Sequence, residues 1–526
     1  MKKALYIFFT FIFTFVFISC NYQNTNQATT DNTNHSFVEN YKAPKFKNDK
    51  RAEKIKSVAP KLLKLMEDYA KKKNIPGISF GIVVDNELVV SSSTGIINID
   101  SKSPAKTSSS FRIASMTKSF TAMGILKLRD EGKLSLEDPV SKFIPEMNGI
   151  TYLTTDAPTI TIKNLLTMTA GFPEDNPWGD RQLHQPASML LDLIKDDLSL
   201  SNVPSYGYEY SNTGYAMLGE IISRVSGTSY QSYLKSNVFE PLGMHETYWE
   251  IDNVPKEQLA IGYRWEKEQW RLEPMLHDGS YGAMGGLITS IDDFSKYVSL
   301  HLSAWPPRND KDNGPVKRSS LREMQTPQFS RLYANSKNIK GDPCARINGY
   351  GYGLSITKEC DELVRVSHGG ALPGFGSNYM FFPEYGVGIM AFCNLTYTTP
   401  WPLSKIRSLL FDELKIQPRT LPISDILIKR KAQVIEMVQN WDEELEASIL
   451  AENFYLDLDR KDRIEAVQKV FNEAGDILKV GELNPSNQLR GYFYIETKNG
   501  RIGIAFTLTP ERDPKVQKLQ VVFQKT

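Results

Sequence analysis

Ser115 and Lys118 stand three residues apart in Phe111-Arg112-Ile113-Ala114-Ser115-Met116-Thr117-Lys118, at the head of a long apolar stretch. A serine that opens a helix has unpaired backbone N–H donors and a positive dipole end beside it, and a lysine one turn on shares its face. The two side chains can therefore touch. An alcohol is a poor nucleophile until its proton is removed, and a lysine whose pKa is lowered by a confined pocket can remove it. Spacing alone is weak evidence, because Ser103 and Lys106, Ser232 and Lys235, and Ser355 and Lys358 share it and read as surface pairs. Ser115 differs in context: Phe120, Met123, Ile125, Leu126 and Leu128 form an apolar helical run that Glu131-Gly132-Lys133 ends.

Two more clusters could do chemistry. In Tyr208-Glu209-Tyr210-Ser211-Asn212-Thr213-Gly214-Tyr215, the residues Tyr210 and Asn212 sit two apart on what reads as an irregular loop. They offer a phenol and an amide to one side. In Val366-Ser367-His368-Gly369-Gly370-Ala371-Leu372-Pro373-Gly374, two glycines follow a strand-like Leu363 to Val366. Such glycines let a ligand approach the backbone, whose free N–H groups could bind an oxyanion. His368 by itself reads more readily as a structural histidine.

Taken together and in this order, Ser115-Met116-Thr117-Lys118, Tyr210-Ser211-Asn212 and His368-Gly369-Gly370 resemble the three signature elements of the serine beta-lactamase and penicillin-binding-protein superfamily. The branch resembled is that of the class C beta-lactamase-related hydrolases, with its D-aminopeptidases, DD-peptidases and esterases. Leu165-Leu166-Thr167-Met168-Thr169-Ala170-Gly171, Pro241-Leu242-Gly243-Met244 and Gly285-Gly286-Leu287-Ile288 add to the likeness, which covers about residues 55 to 415. The resemblance implies an α+β fold: an antiparallel sheet flanked by helices, with an all-helical lobe. It implies that Ser115 attacks a carbonyl, that Lys118 and Tyr210 share the proton work, and that Asn212 orients the substrate. The backbone N–H groups of Ser115 and Ala371 would form the oxyanion hole, and His368, Gly369 and Gly370 would line the substrate site. No cofactor or metal is implied. Beta-lactamases of this branch usually carry Lys-Thr-Gly where this chain has His368-Gly369-Gly370, which removes a fixed charge and a hydroxyl from the carboxylate-binding position. Met168 and Ala170 also replace a histidine and a serine common in the Leu-Leu-Thr phrase. A serine hydrolase acting on an ester or a D-amino-acid peptide is the leading expectation. The alternatives are a non-catalytic penicillin- or peptidoglycan-binding sensor and a true beta-lactamase.

The flanking pattern supplies the scaffold. Apolar residues at helical spacing run from Ala52 to Lys73, and Ile78–Val84 with Leu88–Ile97 read as a hairpin around Asp85-Asn86. Helices are expected over Ile160–Met168, Ala216–Val225 and Tyr230–Val238, and strands over Tyr379–Phe382 and Val387–Phe392. After about residue 420 the pattern changes: helical periodicity at Val434–Leu445 and Arg463–Phe471 precedes strands at Leu489–Thr497, Arg501–Thr509 and Val516–Phe523. Asn499-Gly500 is a type I′ hairpin signal. This tail resembles the NTF2-like α+β fold and reads as an accessory or binding module.

With 526 residues, 41% hydrophobic and 23% charged, the chain is an ordinary globular protein of two or three domains. A net charge of +1 without a basic patch excludes nucleic acid as an expected partner. Lys2 and Lys3 precede an apolar run to Ile18 and then Ser19-Cys20, a signal peptide whose end resembles a lipoprotein acylation site, with Phe17 where Leu is usual. The expected domains are thus a lipoprotein-type signal over 1–20, a flexible linker over 21–50, a beta-lactamase-like domain over 51–418 and an accessory α+β domain over 425–526. Acylation of Cys20 would anchor the protein to a bacterial membrane, facing the periplasm or exterior, with a small-molecule or peptide substrate of cell-wall origin. Of the other cysteines, Cys393 reads as a buried thiol, while Cys344 and Cys360 are as readily bridged as free.

Overall fold

The structure, a computed structural model, describes residues 38, 40–338 and 341–525. The signal segment, Cys20 and most of the linker therefore lie outside the described residues. An antiparallel nine-stranded sheet forms the frame. Its order is Ser103–Pro104, Glu87–Asn98, Gly77–Val84, Val387–Cys393, Phe375–Phe382, Val364–Leu372, Ser355–Lys358, Arg346–Tyr350 and Phe329–Tyr333. Period-two alternation divides its side chains between two cores. Tyr379, Phe381, Met390 and Phe392 face the helical lobe, whereas Met380, Phe382, Ile389 and Cys393 face the terminal helices. Both faces are covered, which is why Gly77–Val84 is buried at every position and reads as a continuous apolar run.

The helix Thr117–Asp130 runs through the lobe's core, with Phe120, Ala122, Met123, Ile125, Leu126 and Leu128 fully buried. The helix is surrounded, so that its polar residues Thr117, Lys118, Ser119 and Thr121 are buried along with the apolar ones. Ser115 itself sits in a tight 3-10 turn, Ala114–Met116, that precedes this helix. The expected single helix over Ala52–Lys73 is instead two, Arg51–Ser57 and Ala59–Lys73. Pro60 is the cause, since it has no N–H to continue the ladder and prefers the first turn of a new helix. The helix expected over Ile160–Met168 spans only Ile162–Leu166, closed at its start by a capping box between Thr161 and Asn164.

Residues 425–525 have a core of their own, built from Leu427, Val434, Met437, Phe454, Phe493, Ile495, Ile502, Ile504 and Phe506 among others. Three helices, Asp425–Asn440, Glu443–Ile449 and Arg460–Ala474, accompany a five-stranded sheet. In Gly500–Leu508 the alternate residues Ile502, Ile504, Phe506 and Leu508 point inward, as their sequence alternation required. The hairpin turn falls one residue earlier than expected, on Lys498 and Asn499, because Thr497 pairs with Gly500. Both turn residues are held by the preceding helix end: Asn499 N donates to the Ala474 carbonyl and Lys498 N to that of Asp476.

Two boundary expectations need correction. The end of the linker is not free: Lys45 and Thr420 exchange backbone hydrogen bonds at 3.2 and 2.9 Å, and Phe46 lies under the guanidinium groups of Arg51 and Arg419. Arg419 also reaches Asp85 at 3.0 Å. A fragment ending at Pro418 would lose this clasp, whereas one ending at about residue 422 keeps it. The fragment 40–422 is expected to fold and to retain turnover of a small ester within about twofold of the full chain, because no core residue is shared with the tail. Expression and assay of both fragments check this, and an inactive or insoluble 40–422 would show that the tail completes the hydrolase domain.

Candidate active site

Three elements converge on Ser115: its own 3-10 turn, the start of the helix Asn212–Ser226, and the strand Val364–Leu372. Ala114 is held at φ +50, a left-handed conformation that costs of order 1 kcal/mol for a residue with a Cβ and recurs where a side chain must be presented. Gly370 allows the strand to press against this turn, since a Cβ there would lie 2.0 Å from the Ile113 carbonyl oxygen. Ser377 ties the two together by donating to that same carbonyl at 2.7 Å. Pairing with Ser355–Lys358 stops at Ser367, so the segment from His368 to Leu372 keeps a free edge. As the first turn of a helix leaves its N–H groups without intrahelical acceptors, Ser115 N–H is available as well.

Lys118 is fully buried, and its surroundings define what its amine can do. Nζ lies 2.7 Å from Asn212 Oδ1, 2.9 Å from the Met284 carbonyl oxygen and 3.1 Å from Ser115 Oγ. A neutral amine has two N–H donors and one lone pair. The two carbonyl-type acceptors take the donors, which leaves the lone pair for the Ser115 hydroxyl proton. Burial lowers the Lys118 pKa to about 7, opposed by the negative charges of Asp180 and Asp175. A base poised near neutrality is the outcome.

Tyr210 is half-buried and lines the same cavity as Ser115, with its ring 4.9 Å from Lys118 Nζ and 6.4 Å from the His368 ring. Burial raises its pKa well above the usual phenol value, so it is present as the neutral phenol. Asn212 is not on a loop, as expected from sequence, but opens its helix. Ser211 caps that helix through Gly214 N, and Asp175 accepts from Asn212 N at 2.6 Å and Thr213 N at 2.8 Å. The Asn212 amide is engaged on both sides, by Lys118 and by Asn176 Oδ1 at 3.2 Å. Its geometry therefore positions Lys118, in addition to any contact with substrate.

His368 differs from expectation more sharply. Its Nδ1 donates to the Gly369 carbonyl at 2.6 Å, which fixes the tautomer, and its Nε2 accepts from Tyr350 OH at 3.1 Å. Burial, with the nearby Lys118 charge, lowers its pKa to about 4. The ring is neutral throughout the physiological range and has no nitrogen to offer a carboxylate. Gly369 and Gly370 contribute only backbone there.

Ser115, Tyr210, His368, Gly369, Gly370 and Ala371 line one cavity of about 400 Å³, which Asp180, Ser377, Asn378 and Tyr397 help to close. Sequence reasoning missed Asp175, Asn176 and Asp180 altogether. Burial raises the Asp180 pKa to about 6, with Lys118 acting in the opposite sense. Cys344 and Cys360 are joined as a disulfide, away from this cavity, and Cys393 is a buried thiol. Among the described residues one group could approach a metal, Glu250, Asp252 and His277; Glu250 already accepts from His277 and from Asp278 N.

The fold and the convergence of serine, lysine and tyrosine place this molecule in the beta-lactamase and transpeptidase-like class, a family of serine hydrolases generally. The chain belongs to the Beta-lactamase family, whose model matches residues 62–409. Protein flp of Staphylococcus aureus (strain N315) is 30% identical over 342 residues, 63% of this chain and 62% of that protein. Beta-lactamase-like protein 2 of Dictyostelium discoideum is 26% identical over 387 residues, 71% of this chain and 67% of that protein. The match thus spans about 62% of the length of the staphylococcal relative. Among solved structures, the octameric penicillin-binding protein homologue from Pyrococcus abyssi aligns with a TM-score of 0.55 at 24% identity, over 88% of this chain and 98% of that one. A penicillin-binding protein from Bacillus halodurans aligns with a TM-score of 0.51 at 23% identity, over 65% and 98%. At these identities the two structures speak for the fold.

Proposed function

We propose that the protein is a serine hydrolase that cleaves an ester or amide through an acyl-enzyme on Ser115. The single observation that carries this reading is the fully buried Lys118 amine 3.1 Å from Ser115 Oγ, with Asn212 Oδ1 and the Met284 carbonyl as acceptors for its two N–H groups when it is neutral. Lys118 takes the hydroxyl proton as Oγ attacks the substrate carbonyl, forming the C–O bond. The neutral Tyr210 phenol, next to both groups, relays a proton to the leaving oxygen or nitrogen as that bond breaks. Backbone N–H groups of Ser115 and Ala371 receive the developing oxyanion, and such preorganised donors are worth about 3 to 4 kcal/mol each. Water then enters by the same route in reverse and releases the acid.

A purely non-covalent binding role is less well supported, because holding a ligand does not require a lysine kept fully buried beside the serine at the cost of its charge. A true beta-lactamase is disfavoured by the position of the missing Lys-Thr pair, where His368 is neutral and fully engaged. A carboxylate without a charge-assisted partner loses about 1.5 to 3 kcal/mol per missing bond, roughly ten- to a hundredfold in binding. The expected result is turnover of carboxylate-free esters or D-amino-acid amides at least tenfold above that of penicillins and cephalosporins. Parallel kcat/KM measurements on the three classes test this, and cephalosporin hydrolysis faster than ester hydrolysis would overturn it.

We also propose export and lipid anchoring through Cys20, a reading supported by the Cys344–Cys360 disulfide, since such bonds persist in oxidising compartments. Cys20→Ser should move the protein from the membrane fraction to the soluble one. An unmodified N-terminus downstream of Cys20 in the native protein would contradict the anchor.

A further inference from the structure

Asp180 is a carboxylate inside the catalytic cavity that the chemistry above does not use. It is 5% exposed and shares the cavity lining with Ser115, Tyr210, Gly370 and Ala371. Its position is fixed from two sides: a Cβ on Gly179 would lie 2.8 Å from Asn212 Cβ, and Trp178 stands edge-on to Tyr281 at 5.8 Å. A neutral group is its hydrogen-bond partner, Tyr397 OH, which donates to Oδ2 at 3.3 Å. No described Lys, Arg or His lies within ion-pair distance of it. Arg181, next in the chain, is exposed. Lys118 feels the charge of Asp180, but its own donors go to Asn212 and Met284.

Burying a carboxylate without a cation is costly, and proteins tolerate it where something supplies the missing charge. Asn378 adds a second sign of the same kind, for its Oδ1 is buried without a donor and the residue lines the same cavity. Asp180 thus stands in the cavity wall in want of a cationic donor. An ammonium group has three N–H bonds and a full positive charge, and so matches such a wall.

We propose that Asp180 anchors a protonated amine carried by the substrate, so that the enzyme selects amine-bearing acyl donors over their neutral isosteres. This rests on the hydrolase reading for the bond that is cleaved, though not for the binding of the amine. The competing role for Asp180 is purely electrostatic, holding the Lys118 pKa up. The two roles differ in what they do to selectivity: an anchor discriminates between substrates, whereas a charge acting through Lys118 alters all turnover alike.

The test compares D-alanine p-nitroanilide with propionyl p-nitroanilide, identical but for the amine, on the full chain and on Asp180→Asn and Asp180→Glu. A charge-assisted contact should give the amine a kcat/KM advantage of about ten- to a hundredfold, lost in Asp180→Asn and partly restored in Asp180→Glu. No advantage in the unaltered protein overturns the proposal whether or not the variants fold, as does a parallel fall of both rates with their ratio kept. Calorimetric titration of D-alaninamide and propionamide into Ser115→Ala, with and without Asp180→Asn, reads binding without catalysis. If neither anilide nor any ester is cleaved but D-alaninamide binds through Asp180, the anchor stands and the hydrolase reading fails. If neither amide binds selectively, the anchor falls alone.

Discussion

Ser115→Ala is expected to abolish hydrolysis, with turnover of any accepted ester reduced by about 10⁴-fold or more, the range found when an enzymatic nucleophile is deleted. Labelling by a fluorophosphonate should vanish with it. Ser115 Oγ lies 3.1 Å from Lys118 Nζ and opens on the cavity, so alanine removes the attacking atom while leaving space for bound substrate. The fold should survive, because Ala114 keeps its left-handed conformation and Gly370 and Ser377 still meet the Ile113 carbonyl. A melting temperature within a few degrees of the unaltered protein, measured beside the activity, separates loss of chemistry from loss of structure. Retained turnover in the folded variant would refute Ser115 as nucleophile. Loss of labelling without any wild-type turnover on esters, anilides and cephalosporins would instead favour the binding-protein alternative.

How far the sequence foretold this arrangement depended on how local each signal was. Ser115 and Lys118 lie within one turn of each other, and Tyr210 and Asn212 within three residues, so each pair could be proposed from local sequence, with motif context rather than spacing alone singling it out. The strand alternation at Ile502, Ile504, Phe506 and Leu508 was legible for the same reason. Asp175, Asn176 and Asp180 were not, because their roles arise from contacts with residues far along the chain and from the shared cavity. Asp175 serves the start of a helix 37 residues later, in a stretch, Glu174 to Asp180, without periodicity. Met284 contributes a backbone carbonyl, a group that every residue has and no sequence pattern can distinguish. His368 shows the converse, a residue singled out from the motif whose ring chemistry was decided by Tyr350 and the Gly369 carbonyl. Pro60 and the Lys45–Thr420 clasp mark the same divide, for the first was readable and underused, while the second joins the two ends of a domain.

The second large effect concerns Lys118 and pH. Burial lowers its pKa to about 7, and only the neutral amine can accept the Ser115 proton, so activity should be present above that value and lost below it. kcat/KM is expected to rise about tenfold per pH unit up to about 7 and then level off. The charged and titratable neighbours act in known directions: Asp180 and Asp175 hold the lysine pKa up against burial, Tyr210 stays a neutral phenol, and His368 stays neutral above about 4. Asp180→Asn should therefore move the acid limb to lower pH, an effect separate from its loss of selectivity. Lys118→Met should lower turnover by about 10² to 10⁴-fold, the usual range for a lost general base, and should erase the limb near 7. Lys118→Arg should not rescue it, because a guanidinium does not deprotonate in proteins. Fluorophosphonate labelling across pH 5 to 9 offers an independent readout, since it reports serine reactivity without the later steps. A pH profile flat from 5 to 8 in the unaltered protein, or full activity in Lys118→Arg, would remove Lys118 as the base and leave Tyr210 as the group to examine.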